Sequence, residues 1–268
     1  MHAWHYIFLS FIQAATEFLP ISSSGHLLFL KQILHVSEIP IVFDIVVHSG
    51  SLVAILLFYR EKITSTFLNA WKEIHDGKKD RSSLRMLFYI VLSTAVTFVF
   101  YIIFRKPIEL KYQSPAVLFP AYLITSSILF STYFAKKKGE IPIAKRGIAL
   151  PVIVGLFQGI AIMPGISRSG ATIVPLLHMN VKKEEAAYYS FFLAIPAILG
   201  ALVFKLTEMQ NEQFLFMHWK LITLSFVVSA VFSYLFLAFL VYVIQRSKLW
   251  MFSVYTLIFA IVSWIVFY

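Results

Sequence analysis

Residues 13–26 read Q-A-A-T-E-F-L-P-I-S-S-S-G-H, and residues 158–172 read Q-G-I-A-I-M-P-G-I-S-R-S-G-A-T. Laid over one another without a gap, Gln13 meets Gln158, Ile21 meets Ile166, Ser22 meets Ser167, Ser24 meets Ser169 and Gly25 meets Gly170. Each stretch sets a helix-breaking proline, hydroxyls and a glycine in otherwise apolar sequence. In a membrane protein, interrupted hydrophobic segments at matching positions of two halves mark a binding site at the interface of inverted repeats.

The surrounding chain is written for lipid. Its 268 residues are 59% hydrophobic and 13% charged, with a mean hydropathy of +0.80, which leaves too little polar surface to solvate a soluble domain. Apolar runs at 86–104, 115–135, 186–204, 221–245 and 249–268 match the ~20 residues that a bilayer core demands. A further run at 40–59 is interrupted only by Asp44 and His48. The chain has no cysteine, which excludes disulfides, thiolate metal sites and a cysteine nucleophile. The N-terminus lacks a basic n-region, so no cleavable signal is expected.

The net charge of +10 sits in loops between the spans, where the positive-inside rule accounts for it without a nucleic-acid partner. Seven Lys/Arg fall in 60–85 and five in 136–146, so both loops are expected in the cytoplasm, and the loop at 105–114 outside. The two repeated segments are too broken for full spans and read as re-entrant hairpins over 3–36 and 147–180. The first opens to the outside and the second to the inside. Sixteen Lys/Arg then face the cytoplasm and five the exterior (Arg105, Lys106, Lys111, Lys205 and Lys220), while Lys31 and Arg168 belong to the hairpins. The expected fold is an all-α polytopic membrane protein of ten helical segments: six transmembrane helices plus two re-entrant hairpins. It is arranged as inverted-topology repeats over 1–135 and 147–268 within one integrated membrane domain.

At the first break Ser22, Ser23, Ser24 and Gly25 follow Pro20, and at the second Ser167, Ser169 and Gly170 follow Pro164-Gly165. Helix N-termini at these points would aim free amides and the positive end of the helix dipole into one gap, which suits an anion. Arg168 adds a guanidinium at membrane depth, costly unless paired or functional, whose planar fork fits phosphate oxygens. Glu17, four residues after Gln13, is the carboxylate at the break. It can ligate a divalent cation with help from the neutral oxygen of Gln13, act as an acid, or hold a nucleophile or water as base. A resting Glu17–Arg168 pair that opens for substrate is compatible with each role. His26 stands one turn after Ser22 and Ser23, close enough to act on a hydroxyl or on phosphorus. Asp44 and His48 share a helix face that can line the same cavity, His178 is a weaker candidate, and His2, His5, His35, His75 and His218 read as solvent or interface residues. These features fit phosphoester or diphosphate hydrolysis, and also a transporter rocking about a midplane site.

Gln13-x-x-x-Glu17 with F-L-P-I-S-S-S-G-H at 18–26, and P-G-I-S-R-S-G-A-T at 164–172, resemble the two signature motifs of the undecaprenyl-diphosphate phosphatases, the bacitracin-resistance family. The resemblance runs over the whole chain in length, span pattern and motif position. It implies hydrolysis of undecaprenyl diphosphate to the monophosphate carrier and inorganic phosphate, for peptidoglycan synthesis, at the extracytoplasmic side of the bacterial plasma membrane. It also implies a divalent cation, magnesium or calcium, held at Glu17 and Gln13. On its motifs Glu17, Ser23, His26, Arg168, Ser167 and Thr172 fall on active-site positions, with Ser22, Ser24, Gly25, Ser169 and Gly170 joining Ser167, Arg168 and Thr172 around the phosphates. Ser23 and His26 are both open as nucleophile, and a polyprenyl-phosphate flippase activity, alone or alongside hydrolysis, is the alternative. Some members carry an acidic residue before the second hairpin, where this chain has Ala144-Lys145-Arg146, so no role for that acid transfers. Membrane lipids and the lipid substrate are the expected partners, with oligomeric state unread.

Overall fold

Both proline-broken segments fold as helical hairpins. In a computed structural model of the protein, which describes residues 3–34, 41–76, 80–112, 114–135, 140–207 and 218–268, α1 (Ala3–Phe18) turns at Pro20 into α2 (Ser23–Ile33). Likewise α7 (Ala149–Ile160) turns through Pro164-Gly165 into α8 (Arg168–His178). Between and after the hairpins run α3 (Ile41–Phe58), α4 (Arg60–His75), α5 (Ser82–Tyr112), α6 (Leu118–Ser131), α9 (Lys183–Thr207), α10 (Trp219–Gln245) and α11 (Met251–Phe267). His2, His35, Lys78, Lys79 and Lys136 to Lys138 lie outside the described residues.

Among the described residues, four helices are long and apolar enough to cross a bilayer: α3, α5 over Ser82–Phe104, α9 over Lys183–Leu206, and α10. The runs expected at 115–135 and 249–268 are shorter. Successive tight turns from Thr132 to Ala135 close α6 early, and its 14 residues span only about 21 Å at 1.5 Å per residue. The 17 residues of α11 reach about 25 Å, and the two short helices pack on each other.

Two expected loops are helical. The stretch 105–114 was expected to be an external loop, yet α5 continues through Pro107 to Tyr112; Arg105 and Lys106 mark a change of polarity, which does not itself end a helix. The stretch 60–85 contains α4, whose Ile63, Phe67, Trp71 and Ile74 share one face while Arg60, Lys62 and Lys72 carry its charge. Phe67, Trp71 and Ile74 are exposed, the pattern of a helix lying in a membrane interface. Its Glu73 accepts the amides of Ser83 and Leu84 at 3.0 and 2.9 Å, satisfying orphan donors at the start of α5.

Each hairpin packs against a helix from the other half of the chain: α1 on α10, and α7 on α5. Small residues permit the approach. A methyl on Gly155 of α7 would stand 2.7 Å from the Ser93 carbonyl of α5. This crossed packing brings the two hairpin tips together at the centre of the bundle.

Candidate active site

The tips are built alike. Ser22 caps α2 by accepting the Gly25 amide at 3.4 Å, and Ser167 caps α8 by accepting the Gly170 amide at 3.1 Å. In each, the capping hydroxyl also meets the hydroxyl two residues on, Ser22 with Ser24 at 3.3 Å and Ser167 with Ser169 at 3.2 Å. A cap of this kind satisfies one of the first helical amides. Those of Ser23 and Ser24, and of Arg168 and Ser169, have no protein acceptor among the described residues.

The two tips touch. The Gly165 amide donates to Ser22 Oγ across the gap at 3.1 Å, and a Cβ on Gly25 would stand 2.9 Å from Gly165 Cα and 2.5 Å from the Tyr122 hydroxyl. Gly165 has φ +92°, where a side chain is strained. Ser22 holds φ 66° without that exemption, backbone strain of the sort that clusters at functional sites. From α6, Tyr122 donates to the Ser22 carbonyl at 3.3 Å, while Thr125 donates to the Gly165 carbonyl at 2.7 Å and accepts the Ser167 amide at 3.2 Å. One turn of α6 thus pins both tips.

Glu17 joins the two hairpins. Its Oε1 receives Arg168 Nη2 at 2.9 Å, and its Oε2 receives the Ser23 hydroxyl at 2.6 Å and Gln13 Nε2 at 3.3 Å. The Glu17 side chain is 7% exposed and that of Arg168 18%, so separating them without a replacement would strand a buried charge. Arg168 Nη1 is buried with no hydrogen-bond partner among the described residues. A buried donor with nothing to donate to calls for an acceptor that the described residues do not supply.

His26 is directed elsewhere. It is 5% exposed, with Nδ1 2.8 Å from both the Ser22 carbonyl and the Tyr122 hydroxyl, and Nε2 2.7 Å from the Tyr255 hydroxyl. A carbonyl partner assigns the hydrogen to Nδ1, which leaves Nε2 accepting from Tyr255. Phe259 lies against the ring at 4.3 Å. Thr172 is also turned from the gap, its buried hydroxyl shared between the Arg168 carbonyl at 2.9 Å and Ser190 of α9 at 2.6 Å. Ser24 is exposed, and Ser169 and Gly170 are buried.

His48 does join the site, with Nδ1 3.2 Å from Gln13 Nε2 and 3.7 Å from Glu17 Oε2. Asp44 pairs instead with Lys205 at 3.1 Å and Lys31 at 3.7 Å. His178 bonds Ser131 at 2.8 Å at the far end of α8. Sequence reasoning missed the support behind Gln13, where Ser229 and Ser51 donate to Oε1 at 3.2 and 3.4 Å and Ser51 meets Ser233 at 2.9 Å. The signal was present: Ser225, Ser229 and Ser233 recur every fourth residue along an otherwise apolar helix.

A divalent cation would find one carboxylate here. No three His, Cys, Asp or Glu side chains converge among the described residues, and Gln13 turns its amide nitrogen, not its oxygen, to Glu17. Magnesium commonly binds one or two carboxylates and completes its shell with substrate phosphates and water. The donor set therefore fits a cation that comes with a diphosphate, provided that the Gln13 amide flips.

The chain is similar to known proteins over nearly its whole length. A family model described as bacitracin resistance protein BacA matches residues 6–262. An undecaprenyl-diphosphatase of Alcanivorax borkumensis is 35% identical over 251 residues, 93% of each chain. One of Korarchaeum cryptofilum is 36% identical over 256 residues, 94% of each, and one of Thermotoga petrophila is 34% identical over 264 residues, covering 97% of this chain and 99% of the relative. With matched length, both motifs and a family model over nearly all of its residues, this chain belongs to the bacitracin resistance protein BacA family.

Proposed function

We propose that this protein is an undecaprenyl-diphosphate phosphatase of the membrane, an enzyme that hydrolyses undecaprenyl diphosphate to undecaprenyl phosphate and inorganic phosphate, and so confers bacitracin resistance. The observation that carries the reading is the unpartnered Nη1 of Arg168 beside a Ser23–Glu17 hydrogen bond of 2.6 Å. Together they offer a donor for a phosphoryl oxygen, a hydroxyl and its base. The free amides at the starts of α2 and α8 add preorganised positive charge where negative charge develops, usually the largest catalytic contribution.

Ser23 is the nucleophile on this account. Its Oγ attacks the terminal phosphorus while its proton passes to Glu17 Oε2; the new Oγ–P bond forms as the bond to the bridging oxygen breaks, and the lipid monophosphate leaves. The departing monophosphate takes that proton from Glu17; water then attacks the phosphoserine and gives a proton to Glu17, which returns it to Ser23 Oγ as the Oγ–P bond breaks and inorganic phosphate leaves. His26 supports the alternative less, because both ring nitrogens are engaged by Ser22, Tyr122 and Tyr255; its role is to hold the start of α2. Glu17 and Gln13 would hold a magnesium or calcium ion, which when bound supplies charge neutralisation for the departing phosphate.

The architecture we propose is two inverted repeats, 1–135 and 147–268, each a re-entrant hairpin and three crossings, with α4 lying on the cytoplasmic surface. The reciprocal packing of α1 on α10 and α7 on α5 supports this, as do the twin serine caps. The charge asymmetry of the loops favours an active site open to the extracytoplasmic side of the plasma membrane. The undecaprenyl tail then leaves between helices into lipid. Phosphate release from undecaprenyl diphosphate by the purified protein, lost in Ser23→Ala and in Glu17→Gln, tests the reading.

A further inference from the structure

Away from the paired hairpin tips, a cavity of about 630 Å³ opens among the ends of α6, α8, α9, α10 and α11. Leu177 lines it, and lies nine residues along α8 from Arg168, some ~14 Å at 1.5 Å per residue. The cavity is thus separate from the Glu17 site. Its volume lies in the range of small-molecule sites.

The lining is sorted by chemistry. Lys183 and Arg246 bring two positive charges, and no carboxylate lines the cavity among the described residues. Lys183 Nζ donates to the Gln245 carbonyl at 3.2 Å, which suits the negative end of α10 but uses one of its three hydrogens. The Arg246 guanidinium lies 5.1 Å over the Tyr242 ring. Ile244, Leu249 and Leu177 form an apolar wall. Tyr133 and Trp250, edge to face at 5.7 Å, place the opening at the depth where aromatic belts sit.

Two cations without a counter-charge, above an apolar wall and beside an aromatic pair, match a phosphate group that carries hydrocarbon. Basic pockets between transmembrane helices on the cytoplasmic side bind lipid headgroups in this way, and on the proposed orientation this cavity faces the cytoplasm. We infer that it is a binding site for the phosphate headgroup of an anionic lipid, on the opposite side of the membrane from the diphosphate site. Lys183 and Arg246 hold the phosphate, and Leu177 and Leu249 receive the start of the chain. The inference does not depend on the phosphatase chemistry, since none of these residues touches Glu17 or Ser23.

Native mass spectrometry of the full chain in detergent, titrated with dioleoylphosphatidylglycerol or dioleoylphosphatidylcholine, tests it. The expected result is a preference of about tenfold or more for the anionic lipid. It should be lost in Lys183→Gln/Arg246→Gln and retained in Arg60→Gln/Lys72→Gln, which removes as much charge from α4. Trp250→Ala, which leaves both charges in place, should weaken the same preference if the double variant does not fold. Undiminished phosphate release by the cavity variants would show that the fold is intact, and its failure in wild type would bear on the phosphatase reading alone. Inorganic phosphate that displaces nothing at millimolar concentration confirms a lipid source. Inorganic phosphate that binds while the two lipids do not differ overturns it in favour of a free-ion site. An equal preference in wild type and both cavity variants would dismiss the cavity altogether.

Discussion

Arg168 Nη2 donates to Glu17 Oε1 at 2.9 Å across 151 positions of sequence, tying the two hairpin tips through one buried ion pair. The pair gives the buried guanidinium a counter-charge before substrate arrives, and leaves its second nitrogen, Nη1, over. A diphosphate can take Nη1 without first breaking the contact that orders the site.

Glu17→Gln should abolish turnover, whereas Gln13→Glu should cost far less. Glu17 alone supplies negative charge at the break and accepts the Ser23 proton, while Gln13 contributes only neutral polarity. Steady-state phosphate release from purified variants checks the order of the two effects. Excess chelator should also stop wild-type turnover; undiminished activity in chelator would leave Glu17 working as base without a cation.

Tyr255→Phe removes the hydroxyl at 2.7 Å from His26 Nε2 and keeps the ring. If His26 only positions α2, the variant should retain turnover to within about tenfold and lose thermal stability by roughly 1–3 kcal/mol for the unsatisfied nitrogen. Turnover as low as in His26→Ala, with stability unchanged, would return the nucleophile question to His26.

Gly25→Ala should be inactive or fail to fold. The added methyl would stand 2.5 Å from the Tyr122 hydroxyl and 2.9 Å from Gly165 backbone atoms, and overpacking of this kind costs about 1–3 kcal/mol or more. Gly147→Ala, where a Cβ meets nothing within 4 Å, is the matched control for a thermal-melt comparison.

Topology is open to single cysteines, because the chain has none of its own. An impermeant thiol reagent applied to intact cells should label Ser114→Cys and spare Lys72→Cys, both exposed positions. The reverse pattern would invert the orientation and put the diphosphate site on the cytoplasmic face.

Much of the site was legible because its chemistry is local. Pro20, Ser22 and Gly25 announce a break, a cap and a close approach within six residues, and the second tip repeats them. The Glu17–Arg168 pair was legible too, since a lone carboxylate and a lone guanidinium at two matching breaks need each other. What the sequence hid was register between distant helices. Nothing near His26 says that its nitrogens go to Tyr122 and Tyr255, 96 and 229 positions away, or that Thr172 spends its hydroxyl on Ser190. The helix α4 was hidden for a different reason: a dense run of Lys and Arg reads as a loop, although its apolar face recurs at helical spacing through Phe67, Trp71 and Ile74.

Arg168 is proposed to hold the phosphoryl group through Nη1 while Nη2 keeps Glu17 in place, and Arg168→Lys tests this. A lysine keeps the charge but loses the planar fork. Phosphate release from undecaprenyl diphosphate should fall by roughly 10²–10³-fold, the loss typical when one transition-state donor is removed, while substrate binding weakens only modestly. Purified Arg168→Lys that turns over within a few-fold of wild type, at unchanged thermal stability, would contradict the account and make Arg168 a structural partner of Glu17 alone.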